Sequence, residues 1–255
     1  MHTFRIAAAA LAMLICFGCA STPKQEAAPR EAAIDVRAAE TLRRMSDHLK
    51  SLSAFTFATT SVVEQLGPDG QKLQFSRRAS IAVRRPNGVH AISRGDDWNK
   101  EYVFDGKSIT IIDRNKNVFS VAQMPVNIDE MFDTLAEKYG LSFPTCDLLY
   151  SDPNATLSAD VKIGRYVGMH QVGDTKCHHL AFSQDQVDWQ IWIEDGDQPW
   201  PRKLVVTYKN APMVPQDVIL FRDWKSGAPF TDKDFAVSLP ADATRVELVA
   251  DEAAR

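Results

Sequence analysis

The sequence predicts an α+β chain, mainly antiparallel β, in which one sheet wraps partly around helices. Three observations predict it. The pattern near Val36 to Leu52 has helical period, and the long stretch from Phe55 breaks into short Val, Ile, Thr and aromatic runs punctuated by Gly, Pro, Asn and Asp. One central segment, near residues 127–150, returns to helical period, and no Pro/Gly-rich linker divides the chain into two domains. The expected organisation is a signal peptide at 1–18, a flexible tether at 19–34, a single domain at 35–247 and a C-terminal tail at 248–255.

The 255 residues are 45% hydrophobic and 24% charged, an ordinary globular composition. The formal charge of −4 supplies no basic field for nucleic acid or for an anionic membrane surface. At the N-terminus, His2 and Arg5 precede the apolar run Ile6 to Phe17, and Gly18, Cys19, Ala20 and Ser21 follow. That run is too short to span a bilayer, which takes about 20 residues. Its charged, apolar, small-residue order is that of an export signal. The segment Leu14-Ile-Cys-Phe-Gly-Cys19-Ala-Ser resembles the lipobox of bacterial lipoproteins, departing from it at Cys16 and Phe17. The resemblance implies lipidation of Cys19 and, with Ala20 following, sorting to the periplasmic face of the outer membrane. Ordinary cleavage after Ala20, leaving a soluble periplasmic protein, is the alternative. Cys146 and Cys177 are then the only remaining cysteines, and an oxidising compartment permits a disulfide between them.

From Ser21 to Ala33 no apolar period is visible, as suits a tether. Asp35 is a plausible N-cap, followed by Val36, Ala39, Leu42, Met45, Leu49 and Leu52 on one helical face. Hairpin turns are expected at Gly67-Pro-Asp-Gly70, Arg85-Pro-Asn-Gly88, Asp105-Gly106, Asn115-Lys-Asn117, Gly173-Asp174 and Asp195-Gly196. In the central segment, Asn127 with Glu130 resembles a capping box, and Ile128, Met131, Phe132, Leu135, Ala136 and Tyr139 form a face closed by Gly140. Pro144-Thr145 is expected to start a second helix carrying Leu148, Leu149 and Tyr150 and ending before Pro153. In Asp188 to Glu194, alternation puts Trp189, Ile191 and Ile193 on the core face, and Trp192 among polar neighbours on the other, under a loop or helix.

Catalytic motifs are missing. No Gly-x-Ser-x-Gly elbow, His-Glu-x-x-His or dinucleotide fingerprint occurs, and Gly106-Lys107-Ser108 lacks the upstream glycine of a P-loop. His178 and His179 point to opposite faces of a strand and do not easily share an ion. The expectation is a non-enzyme without metal, cofactor or nucleic-acid partner.

The segments Arg84-Arg-Pro-Asn-Gly-Val-His-Ala-Ile-Ser, Tyr102-Val-Phe-Asp-Gly-Lys-Ser-Ile-Thr-Ile-Ile-Asp and Asn117-Val-Phe-Ser look like the signature of the lipoprotein-localisation carrier (LolA/LolB-like) superfamily. Cys177-His-His-Leu-Ala-Phe, Asp188-Trp-Gln-Ile-Trp-Ile-Glu and Pro199-Trp-Pro-Arg-Lys-Leu-Val-Val-Thr-Tyr-Lys closely resemble a bacterial family of predicted periplasmic proteins placed in that superfamily. The resemblance covers residues 35–245 and implies a strongly curved, unclosed β-barrel whose N-terminal helix and central helix pair cover its mouth. It implies a hydrophobic ligand, an acyl chain, lipid or lipoprotein, taken up by a carrier, acceptor or sensor. Met131, Phe132, Leu135, Leu148, Leu149, Trp189 and Ile191 are the candidate ligand-contacting residues, each equally readable as plain core. Two other functions stay in view: a structural or interaction lipoprotein with a barrel filled by its own side chains, and, third, a periplasmic hydrolase.

Overall fold

The computed structural model describes residues 34–250. The expected signal peptide, the lipidation at Cys19 and the first part of the tether lie outside the described residues. Helix α1 (Val36–Lys50) starts where expected, because the Asp35 carboxylate accepts the backbone N–H groups of Arg37 at 2.8 Å and Ala38 at 3.3 Å. Its inward face is Ala38, Leu42, Met45 and Leu49, all buried, whereas Val36 and Ala39, expected on that face, are exposed at the start of the helix and Leu52 lies beyond its end.

Six strands follow in a meander: β1 (Ala54–Leu66), β2 (Lys72–Arg84), β3 (Gly88–Gly95), β4 (Asn99–Phe104), β5 (Ser108–Asp113) and β6 (Val118–Gln123). Four of the five turns between them fall at the Gly- and Asn-containing positions read from the sequence, and the fifth, at 96–98 between β3 and β4, is not among them. At Asp105-Gly106 the Asp105 carboxylate accepts the Lys107 and Ser108 N–H groups at 2.8 Å, so the apparent P-loop fragment is a hairpin turn.

Helix α2 (Ile128–Tyr139) is capped by Asn127, whose side chain accepts the Glu130 N–H at 3.0 Å, and ends at left-handed Gly140. The second helix differs from expectation. Cys146–Leu148 make only a 3-10 turn, and Pro153 opens rather than follows a helix, α3 (Pro153–Ser158). Proline lacks an N–H and so fits the first helical position, where none is needed, and the Asp152 side chain caps the Ala155 N–H at 3.1 Å. Asp152 also pairs with Lys50 at 2.9 Å, joining α3 to the end of α1.

A second meander, β7 (Ile163–Val172), β8 (Thr175–Ser183), β9 (Val187–Glu194), β10 (Pro201–Tyr208) and β11 (Gln216–Ser226), completes the sheet, and β12 (Thr244–Arg245) adds a short edge. The order is β12-β6-β5-β4-β3-β2-β1-β11-β10-β9-β8-β7, antiparallel throughout except for the β12–β6 pair. β7, bridged at Gly164 by Ile34, and β12 are the two edge strands and do not pair with each other, so the barrel is unclosed. Inward residues as distant in strand order as Ile109 of β5 and Leu180 of β8 belong to one core with α1 and α2, which requires a strongly curled sheet.

A small cluster, Cys177, Trp192 and Val205, sits apart from that core. Trp192 lies not under a loop or helix, as expected, but beneath neighbouring strands' side chains: the His179 ring stacks on it at 3.9 Å and the Lys203 ammonium sits at 4.4 Å. Adjacent strands supply that cover because cross-strand neighbours on one face stand close together.

The segment after β11 runs back over the outer side of β3–β6. Phe235 is buried against Gly88 and under the Arg84 guanidinium, and a Cβ at Gly88 would come within 3.1 Å of the Phe235 ring. His90 touches the Asp234 carbonyl and the Glu101 carboxylate, each at 2.9 Å, and Arg114 donates to the same carboxylate. Burial alone would raise the Glu101 carboxyl, but the hydrogen bonds from Arg114 and His90 outweigh it and hold it below its usual range.

Candidate functional site

The two halves of the barrel are packed differently. Beneath α1 the interior is largely filled by aromatic rings, and a space of about 270 Å³ on this side lies at the flank of α1, between Leu42, Val161 and Phe182. Trp200 and Trp224 stack at 4.8 Å, Phe57 stacks on Trp224 at 4.3 Å, and His48 of α1 meets Trp200 edge-on at 4.3 Å. Beneath α2 the interior contains a cavity of about 570 Å³. Its floor is the inward face of β1–β6 and β11, and its roof is α2 with the 140–146 segment.

Strand alternation explains the graded chemistry of this cavity. Along β2 the inward positions are Val83, Ile81, Ala79 and Arg77; along β4 they are Phe104, Tyr102 and Lys100; along β5, Ile109, Ile111 and Asp113; along β11, Phe221, Ile219 and Asp217. In register, these rows change from apolar to polar in the same direction. Ile81, Val89, Phe104 and Ile109 line the apolar end with Met131, Phe132 and Leu135. Arg77, Trp98, Lys100, Asp113, Tyr208 and Asp217 line the polar end.

Of the candidate ligand-contacting residues, Met131, Phe132, Leu135 and Leu149 line the cavity. Leu148, Trp189 and Ile191 are buried in the core without lining it. Trp189 stacks on Phe182 at 4.2 Å in the α1 half, and alternation alone, which assigned it an inward face, carries no sign of which half it enters.

The disulfide that an oxidising compartment permits does not join the two cysteines here. Cys146 and Cys177 are both free thiols: Cys146 lines the cavity, whereas Cys177 belongs to the separate cluster with Trp192 on the other side of the sheet. Burial pushes the Cys146 thiol up to about 12 and the Cys177 thiol up to about 11, so both stay protonated and poorly nucleophilic.

The sequence reading missed the polar end. A signal was present in β2, where Arg77 shares the face of Ile81 and Val83, a charge on an otherwise apolar row. Tyr208 donates to the Asp217 carboxylate at 2.9 Å, and burial raises both groups from their ordinary values. The Asp113 carboxylate accepts the N–H groups of Asn115 and Lys116 at 3.1 Å and lies 3.9 Å from Lys100. Tyr102 meets Phe143 of the roof edge-on at 5.1 Å, and burial raises its phenol.

Two latches hold the roof. Ser151 donates its backbone N–H to Asp129 at 2.8 Å and its hydroxyl at 2.5 Å, and Tyr150 donates to Asp133 at 2.8 Å. Arg85 donates to the Leu149 carbonyl at 2.7 Å, tying this segment to the end of β2. The His–carboxylate pairs His90–Glu101 and His178–Asp195 both lie outside the cavity lining. Among the described residues no three His, Cys, Asp or Glu side chains gather as metal ligands would.

The fold and site together define an open antiparallel half-barrel, one half largely filled and the other hollow, with a cavity under its central helix. The chain belongs to the family described as "Predicted periplasmic protein (DUF2092)", whose model matches residues 38–249. No curated protein sequence matches it. Similar solved structures include an uncharacterized conserved protein from Thermus thermophilus, at 12% identity and TM-score 0.48, covering 83% of this chain and 99% of that one. LprF from Mycobacterium bovis is similar at 12% identity and TM-score 0.47, over 83% of this chain and 99% of its own. The Mycobacterium tuberculosis lipoprotein LppX is similar at 11% identity and TM-score 0.47, over 77% and 98%.

Proposed function

We propose that this protein is a non-catalytic binding protein of the cell envelope, whose cavity takes up a hydrophobic chain of a lipid or lipoprotein. It acts as carrier, acceptor or sensor in the periplasm, anchored to the outer membrane through a lipidated Cys19. The observation that carries the reading is the cavity of about 570 Å³ under α2, which falls within the roughly 300–1,000 Å³ typical of small-molecule sites. The inward faces of β2–β5 leave this space beside an α1 half that is largely filled by stacked aromatic rings. A cavity walled by Ile, Val, Phe, Met and Leu offers water few hydrogen bonds, so an apolar chain entering it displaces little that is well held. The family's description supports a periplasmic location.

The test uses the full chain carrying Cys19→Ser. Loss of the anchor is expected to move it from the membrane to the soluble periplasmic fraction and to remove the acyl mass from its N-terminus. Native mass spectrometry without detergent, followed by lipid extraction, is expected to find a stoichiometric lipid. Ala91→Phe adds a ring to the cavity wall and is expected to abolish that adduct while leaving the melting temperature unchanged or higher. A clean apo mass in the parent chain, with no uptake of added fatty acid, overturns the reading.

A further inference from the structure

Arg77 is the one guanidinium in the cavity wall, and among the described residues it makes no hydrogen bond. Its Nε is enclosed without a partner, and its side chain retains only 16% of its exposure. The nearest carboxylate oxygen, on Asp97, stands 3.8 Å from Nη2, an ion pair at long range on the solvent side that is beyond hydrogen-bond reach. The other carboxylates at this end have partners of their own, Asp217 in Tyr208 and Asp113 in its own turn and, 3.9 Å away, Lys100, and none is hydrogen-bonded to Arg77. A largely buried guanidinium whose Nε has no acceptor is costly, and it is the natural complement of a planar carboxylate or a phosphate.

The surroundings hold this group in place. The Arg77 guanidinium lies 4.1 Å from the Trp98 ring centre, and the Lys100 ammonium lies 4.1 Å from the same ring. Trp98 thus carries two cations at the polar end of the cavity. Gly95, the cross-strand partner of Arg77, leaves room for the stem: a Cβ there would come within 2.7 Å of the Arg77 Cγ and 2.2 Å of the Ser76 carbonyl.

We propose that the ligand of this cavity is an anionic amphiphile, whose carboxylate or phosphate headgroup is held by Arg77 and Lys100 while its chain lies under α2. The inference rests on the chain-binding reading above and adds the headgroup to it.

The experiment uses the full chain with Cys19→Ser and a neutral apolar dye, N-phenyl-1-naphthylamine, as reporter of the cavity. Laurate, dodecyl phosphate and dodecanol share one chain and differ in headgroup. The two anions are expected to displace the dye at concentrations at least about tenfold lower than dodecanol. Arg77→Gln is expected to bring laurate to the level of dodecanol while leaving the dye and dodecanol midpoints unchanged, and Arg77→Lys to restore part of the difference. Equal displacement by laurate and dodecanol in the parent chain overturns the headgroup proposal without needing a variant, and so does an Arg77→Gln effect of the same size on all three. Failure of the dye and all three amphiphiles to bind overturns the chain-binding reading and this inference with it. Acetate and inorganic phosphate, added alone, are expected to give no Arg77-dependent thermal shift at the amphiphiles' working concentrations. A shift as large as theirs overturns the proposal in favour of a free-anion site.

Discussion

Ile81 and Arg77 stand on the same row of β2, and the difference between them divides what the sequence makes legible from what it hides. Ile81 is readable as core from alternation alone, and so are Trp189, Ile191 and Ile193, all of which are buried. Whether an inward side chain meets another side chain or empty space depends on residues far away in the chain, which no local pattern reports. That is why Met131 and Leu149 line the cavity while Leu148, beside Leu149, does not. His48 shows the same dependence on distant partners: it packs edge-on against Trp200, its Nε2 is enclosed without a partner among the described residues, and burial lowers its affinity for a proton. The unfolded chain therefore takes the proton first. His48 contributes its stability fully above its ordinary value of 6.5 and loses it as pH falls below that value. The melting temperature is expected to drop between about pH 7.5 and about pH 5.5, with a shallower drop for His48→Gln. His179, lowered by burial as well, keeps the residual slope. Equal slopes for the two proteins would remove His48 from the account.

Among the elements, the caps and most of the inward faces of α1 and α2 were legible, because each combines a side-chain cap with an apolar stripe on the helical period, but Val36, Ala39 and Ala136, expected on those faces, are exposed. The strands were legible through their turns. The 140–152 segment was not, since its conformation is set by contacts across space: Asp129 and Asp133, one turn apart on α2, reach Ser151 and Tyr150. These bonds fasten the roof of the cavity back onto its own helix. Removing one latch should loosen that segment without unfolding the sheet. In Asp129→Ala, hydrogen exchange of the Ser151 amide is expected to accelerate roughly fivefold, on the scale of one net hydrogen bond of about 1 kcal/mol. Exchange in β8 and β9 is expected to stay unchanged, and acceleration spread evenly over the chain would contradict a local latch.

At the scale of the whole molecule, one curled sheet is closed by two different plugs. Helix α1 brings Leu42, Met45 and Leu49 into a half already crowded by Phe and Trp rings, whereas α2 roofs a half whose sheet offers Ala79 and Ala91 at inward positions. Small residues on the floor beneath α2 leave the space that the function needs. The sequence shows an antiparallel sheet and both helices, but the strand order and the sum of side-chain volumes against enclosed space exist only after folding. The most direct test of a hollow α2 half is a crystal structure with 12-bromododecanoate, whose bromine marks the far end of the chain by anomalous scattering. The account predicts one bromine peak among Phe104, Ile109 and Met131, under α2. An empty cavity at saturating ligand, or bromine only on the exterior of the barrel, would contradict it.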